Sequence, residues 1–107
     1  MATGKDKKLI HNEVLQYISL LEDKNIHILQ AYLFGSYVKG TADEWSDIDL
    51  ALVTDDFIGD SFDFRFMLTK LARSIDPDME PHPYLTSEFN ERNPAASEIL
   101  KNGERVF

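Results

Sequence analysis

Two aspartates, Asp47 and Asp49, are set into the apolar run that continues from Ile48 to Val53. Side chains alternate along a strand, so these two carboxylates face one way, with Ile48 and Leu50 on the other side. They stand roughly 6.6 Å apart. At an effective dielectric of about 20 they repel each other by about 2.5 kcal/mol. A buried strand keeps such a pair only with a counter-charge. A divalent cation with oxygen ligands supplies one, and Mg²⁺ keeps positions open for phosphate oxygens.

A second set of residues suits phosphate. The apolar run Ala31-Tyr32-Leu33-Phe34 stops at Gly35-Ser36. Gly35 permits a sharp turn and lets backbone N–H groups approach an anion with no Cβ in the way. Ser36 adds a hydroxyl donor. Tyr37 to Lys39 begins a short helix whose N-terminus attracts phosphate, and Gly40 ends it in a left-handed conformation. Lys39 either reaches a phosphate or is solvated. Strand, phosphate-binding turn, short helix, loop and Asp-x-Asp strand together suit a nucleoside triphosphate with its metal.

Gly35-Ser36, the spacer Tyr37 to Ser46 and then Asp47-Ile48-Asp49 resemble the signature of the nucleotidyltransferase superfamily. The resemblance is strongest to its small stand-alone members, the minimal nucleotidyltransferases (MNT). It implies a polymerase-β-like fold and a third carboxylate on a later strand beside Asp-x-Asp. Glu80, in Met79-Glu80-Pro81-His82-Pro83, matches that position, although aspartate is more usual there; Asp78 is the alternative. On this resemblance Asp47, Asp49 and Glu80 are catalytic residues and ligands of one or two Mg²⁺ ions. Gly35 and Ser36 hold the β- and γ-phosphates of ATP, with Lys39 as a further nucleotide-binding residue. An acceptor hydroxyl attacks the α-phosphorus, pyrophosphate leaves, and Glu80 can accept the proton.

The elements that position these residues are legible along the chain. Asp6 to Lys24 reads as a helix, with Leu9, Val14, Ile18 and Leu21 near helical spacing and Ile10, Leu15 and Tyr17 widening the stripe. His11 falls on its surface. Ile26 to Phe34 supplies the first strand, with no partner evident for His27. Trp45, in the polar loop Thr41 to Ser46, flanks a nucleotide base or plugs the loop onto the core. Thr54 to Asp60 is a solvated acidic loop. Ser61 caps a second long helix to about Ser74, with Phe64, Met67, Leu68 and Leu71 on its core face.

Ile75 to Asp78 is a turn. Met79 to Leu85 must be extended, because Pro81 and Pro83 are excluded from a helix, and its prolines leave one side without ladder bonds. Alternation puts Asp78, Glu80, His82 and Tyr84 on one face. His82 touches the site or packs, packing being the simpler reading. Asn93 and Pro94 start a last helix to about Lys101, Asn102-Gly103 ends it, and Glu104 to Phe107 forms a short strand or tether. The expected fold is α/β (α+β): one domain over residues 1–107, with a small mixed sheet of three or four strands and helices packed on one face.

Composition narrows the function. A formal net charge of −8 over 107 residues disfavours broad nucleic-acid binding. A nucleotide arriving with Mg²⁺ remains compatible, because the ion reverses the local sign. No cysteine is present, which excludes disulfides and thiolate metal sites. No apolar run reaches the length of a membrane span, and MATGKDKK lacks the apolar core of a signal peptide, so a cytoplasmic protein is expected.

Chains that resemble MNT proteins of this size are similar to the antitoxin half of a toxin–antitoxin pair. The implied partner is a HEPN-domain ribonuclease (higher eukaryotes and prokaryotes nucleotide-binding domain), silenced when AMP is added to a tyrosine near its active site. The acidity suits a basic partner. Phe57, Phe62, Phe66 and Phe89 either pack internally or anchor an interface. Two other functions stay open: an antitoxin that acts by binding alone, and a nucleotidyltransferase that modifies a small-molecule hydroxyl.

Overall fold

The computed structural model describes residues 5–57 and 59–107. Residues 1–4 of the N-terminal segment and Ile58 of the acidic loop lie outside the described residues. The elements are α1 (Lys7–Asp23), β1 (Gln30–Phe34), α2 (Ser36–Lys39), β2 (Ile48–Thr54), α3 (Ser61–Ile75), β3 (Met79–Leu85), α4 (Pro94–Asn102) and β4 (Glu104–Arg105). The sheet runs in the order β3-β2-β1-β4, with β1 antiparallel to β2 and β4, and β2 parallel to β3. This is the expected mixed α/β sheet with its fourth strand.

Asp6 caps α1, accepting the Lys8 amide at 3.2 Å. The buried stripe is Ile10, Val14, Tyr17, Ile18 and Leu21. Leu9 and Leu15, expected in that stripe, are each 48% exposed. A 3.6-residue repeat satisfies one register, and the register through Ile10 turns both leucines to the flanks. The Tyr17 hydroxyl donates to the Leu68 carbonyl at 2.7 Å and ties α1 to α3.

The first strand is shorter than its apolar run. Asn25 has a positive φ of 62°, and the Ile26 amide returns to the Leu21 carbonyl at 2.9 Å. Ile26 and Ile28 are therefore buried without joining the ladder, which begins at Gln30. At α3 the cap is Asp60 and not Ser61: the Asp60 carboxylate accepts the Asp63 amide at 2.9 Å. Asp60 thus leaves the solvated loop and becomes part of a helix start.

α1 and α3 share one apolar core with Leu33, Ile48, Leu50, Leu52 and Met79 of the sheet. Ala96 and Ile99 of α4 are buried outside that cluster, near β1. Asn93 caps α4 by accepting the Ala95 and Ala96 amides, with Pro94 at the first helical position, as the sequence implied. β3 keeps its expected bounds and lies at the sheet edge. Ile48 donates to the Asp78 carbonyl and Thr86 donates to that of Thr54. Even-numbered residues of β3 therefore face β2, and alternation turns the nitrogens of Pro81 and Pro83 outward.

Candidate active site

Asp49 lies at the centre of a row that crosses three strands. It is in register with Phe34 on β1 and with Glu80 on β3. Register partners present their side chains to the same face, so the carboxylates of Asp49 and Glu80 share one surface. Hydrophobic burial fixes this arrangement from the other side: Ile48 and Leu50 are fully buried, and a one-residue slip would drive both carboxylates into the core.

Gly35 follows Phe34 directly, with φ 78° and ψ −147°, a conformation open essentially to glycine alone. A Cβ built at Gly35 would collide with Asp49 Oδ2. The turn is thus laid directly onto the Asp49 carboxylate, which occupies the space a side chain at Gly35 would fill. Val38 and Lys39 both donate to the Gly35 carbonyl, at 3.1 and 3.0 Å. Ser36 and Tyr37, as the first helical residues, have amides with no intrahelical acceptor. Gly40 ends α2 in the left-handed conformation expected of it, φ 78°. Buried Tyr37 anchors the short helix, and its hydroxyl accepts the Lys5 amide at 3.1 Å.

Asp47 stands one residue ahead of β2 and is exposed, whereas Asp49 is half-buried. The expectation of two aspartates inside one strand therefore holds for Asp49 only. Glu80 accepts the Arg73 guanidinium at 2.9 Å. Asp78, the alternative third carboxylate, is turned instead to the Lys5 ammonium, at 2.5 Å. His82 both packs and touches the site: its ring meets Phe34 edge-on at 5.1 Å, while Nε2 stands 3.2 Å from Asp49 Oδ1. Sequence reasoning underrated His82, although its alternation with Glu80 was the available signal. Arg73 carried no signal, since its reach to Glu80 depends on how α3 lies against β3.

Beside the turn opens a cleft of about 220 Å³ lined by Phe34, Gly35, Val38, Lys39, Ile99 and Gly103. Exposed Lys39 reaches its rim. Trp45 is 82% exposed, which overturns the reading of a plug; its loop is held by Asp43, which accepts the Trp45 amide at 2.9 Å. Among the described residues, no three His, Asp or Glu side chains already converge as a metal-ligand group. The donors on the Asp49–Glu80 face are nonetheless carboxylate oxygens, the chemistry a hard divalent cation requires.

The family model "Polymerase beta, Nucleotidyltransferase" matches residues 16–107. The chain belongs to this family. Among solved structures, this nucleotidyltransferase is similar to a toxin–antitoxin complex crystallised with AMP-PNP, with a TM-score of 0.65 and 26% identity over 91% of this chain and 72% of that one. A mutant of the toxin–antitoxin pair MntA-HpeT superposes with a TM-score of 0.63 at 23% identity, over 91% of this chain and 72% of that one. A putative nucleotidyltransferase from Sulfolobus solfataricus gives 0.58 at 19%, over 92% and 76%. These last two share the fold. No curated protein matches the nucleotidyltransferase by sequence.

Proposed function

We propose that this nucleotidyltransferase moves AMP from ATP to a tyrosine hydroxyl of a HEPN-domain toxin, and that it acts in the cytoplasm as that toxin's antitoxin. The observation that carries the reading is the in-register pair Asp49 and Glu80, with the Gly35 turn packed directly against the Asp49 carboxylate. Family membership and likeness to a toxin–antitoxin complex with AMP-PNP support it.

In this reading Asp47, Asp49 and Glu80 hold Mg²⁺. When bound, the ion supplies Lewis-acid charge to the phosphate oxygens and the leaving pyrophosphate. The protein's own groups do the rest. Ser36 Oγ and the first amides of α2 bind the β- and γ-phosphates, and Lys39 steadies them from the cleft. His82 holds the Asp49 carboxylate in orientation. The tyrosine oxygen attacks the α-phosphorus as the bond to the pyrophosphate oxygen breaks, and Glu80 takes the hydroxyl proton. Arg73 must first release Glu80.

A second reading, an antitoxin that acts by binding alone, draws on those same pairs, because Arg73 and His82 already occupy the two carboxylates. Incubation with ATP, Mg²⁺ and the toxin encoded beside it separates the two. AMP mass on a toxin tyrosine is expected, with none from the Asp47→Asn variant. If no adduct forms and Asp47→Asn still protects cells from the toxin, the binding-only reading replaces the enzyme.

A further inference from the structure

The two long helices bury their apolar faces differently. Phe64 and Leu68 of α3 are 1% and 0% exposed, yet Phe62 and Phe66 of the same helix are 76% and 66% exposed. Phe57 stacks on Phe64 at 5.0 Å, and Phe89 lies against Tyr32 and Tyr84 at 5.2 and 5.3 Å. Of the four spare phenylalanines, then, two pack and two stand in water. Exposed aromatic pairs of this kind mark interaction surfaces.

Their direction along the helix matters. Phe62, Phe66, Thr69 and Arg73 follow at i, i+4, i+7 and i+11, which is one stripe of an α-helix. Phe62, Arg65, Phe66 and Thr69 line a shallow groove. The stripe ends at Arg73, whose guanidinium is bonded to Glu80. From Phe62 to Arg73 it covers about 16 Å at 1.5 Å per residue. A body seated on the two phenylalanines therefore lies along the helix that ends at the β3 edge, where Arg73 reaches round to Glu80. The far end is acidic: Asp55, Asp56, Asp60 and Asp63 are all exposed around the start of α3.

We propose that the outer stripe of α3 is the docking surface for the protein acceptor, here the toxin, and that it guides the acceptor hydroxyl to Asp49 and Glu80. This rests on the function proposed above. The occupant it fits presents an apolar ridge to Phe62 and Phe66 and Lys or Arg side chains to the four aspartates. The chain's net charge of −8 favours the same basic partner at longer range.

The test compares wild type with a Phe62→Ala/Phe66→Ala variant against the toxin encoded beside this chain. Both side chains are exposed, so the fold should survive. Toxin affinity and the rate of AMP transfer at limiting toxin should each fall about tenfold or more, while binding of ATP stays unchanged. Wild-type affinity should also weaken as salt rises. If the variant matches wild type in both affinity and transfer, the docking surface is elsewhere and the enzyme reading stands. If wild type itself transfers no AMP, the function proposed above fails and this surface falls with it. If wild type alone sediments as a dimer that the variant dissolves, a second copy covers α3 and the proposal is overturned.

Discussion

Two carboxylate clusters lie near the same end of the parallel pair β2 and β3, where both strands begin. In one, Asp49 and Glu80 sit side by side on an open face, held by half-exposed His82 and Arg73. In the other, Glu13 of α1 meets Asp76, which is only 3% exposed, with Lys5 3.6 Å from Asp76 and bonded to Asp78. Glu13 Oε2 is buried with no donor in reach. Two carboxyl groups bond in such a place only if one keeps its proton. Burial foremost, then the bond to Asp76, pushes Glu13 up to about 7. Burial works against the Asp76 carboxylate too, but hydrogen bonds from Glu13 and the Asp78 amide, with the charge of Lys5, hold its pKa below the ordinary value. One cluster thus closes its charge account from within. The other leaves room for a charge from outside, and Asp78, between them in sequence, belongs to the closed one.

The largest effect should come from attacking the open cluster. Asp49→Asn and Gly35→Ala are each expected to lower AMP transfer by at least about 100-fold, the order lost when a key electrostatic contact to the transition state is removed. Their stabilities should diverge. Asp49→Asn should melt at or slightly above the wild-type temperature without metal, and should lose the Mg²⁺-induced rise. Gly35→Ala should lower it, because its φ strains any side chain and its methyl strikes Asp49. A Gly35→Ala variant that kept wild-type activity would show that the turn and the carboxylate do not act together.

Next comes the boundary between the clusters. Glu80→Gln should still bind ATP yet lose turnover, whereas Asp78→Asn should keep turnover and lose stability along with the Lys5 pair. Single-turnover kinetics and thermal melts of both variants decide it; the opposite pattern would shift the third ligand to Asp78.

The smallest effect concerns the closed cluster. The folded-state pKa of Glu13 lies above its unfolded value of 4.5. Its contribution is therefore full below about 4.5 and lost as pH rises through about 7. Asp76, shifted the other way, contributes at higher pH and loses its share only as pH falls below its unfolded value. Melting temperature should decline across the window from 4.5 to about 7 in wild type. Glu13→Gln should flatten that decline without changing AMP transfer at a fixed pH.

What could be read from residues alone follows the same division. Pro81 and Pro83 fixed the bounds and the edge position of β3, because proline chemistry acts locally. The motif Gly35-Ser36 and Asp49 was legible for a similar reason: a required backbone conformation and a required face leave few alternatives. Ile26 and Ile28 misled, since burial under the end of α1 leaves the same apolar pattern as a strand. Asp76 read as a turn residue because its partner, Glu13, comes from an element 63 positions earlier. Arg73 was hidden, its role being set by how α3 lies against β3, whereas His82 was half legible, since alternation put it on the Glu80 face but not against Asp49.

The outward prolines of β3 have a consequence for life at high concentration. A bare sheet edge invites another chain to add a strand, and a run of free amide donors is its template. Pro81 and Pro83 delete two of those donors from the strand that carries Glu80. Copies of the protein cannot zip together along that margin, and fibril growth by strand addition is blocked at the place where it would otherwise smother the site.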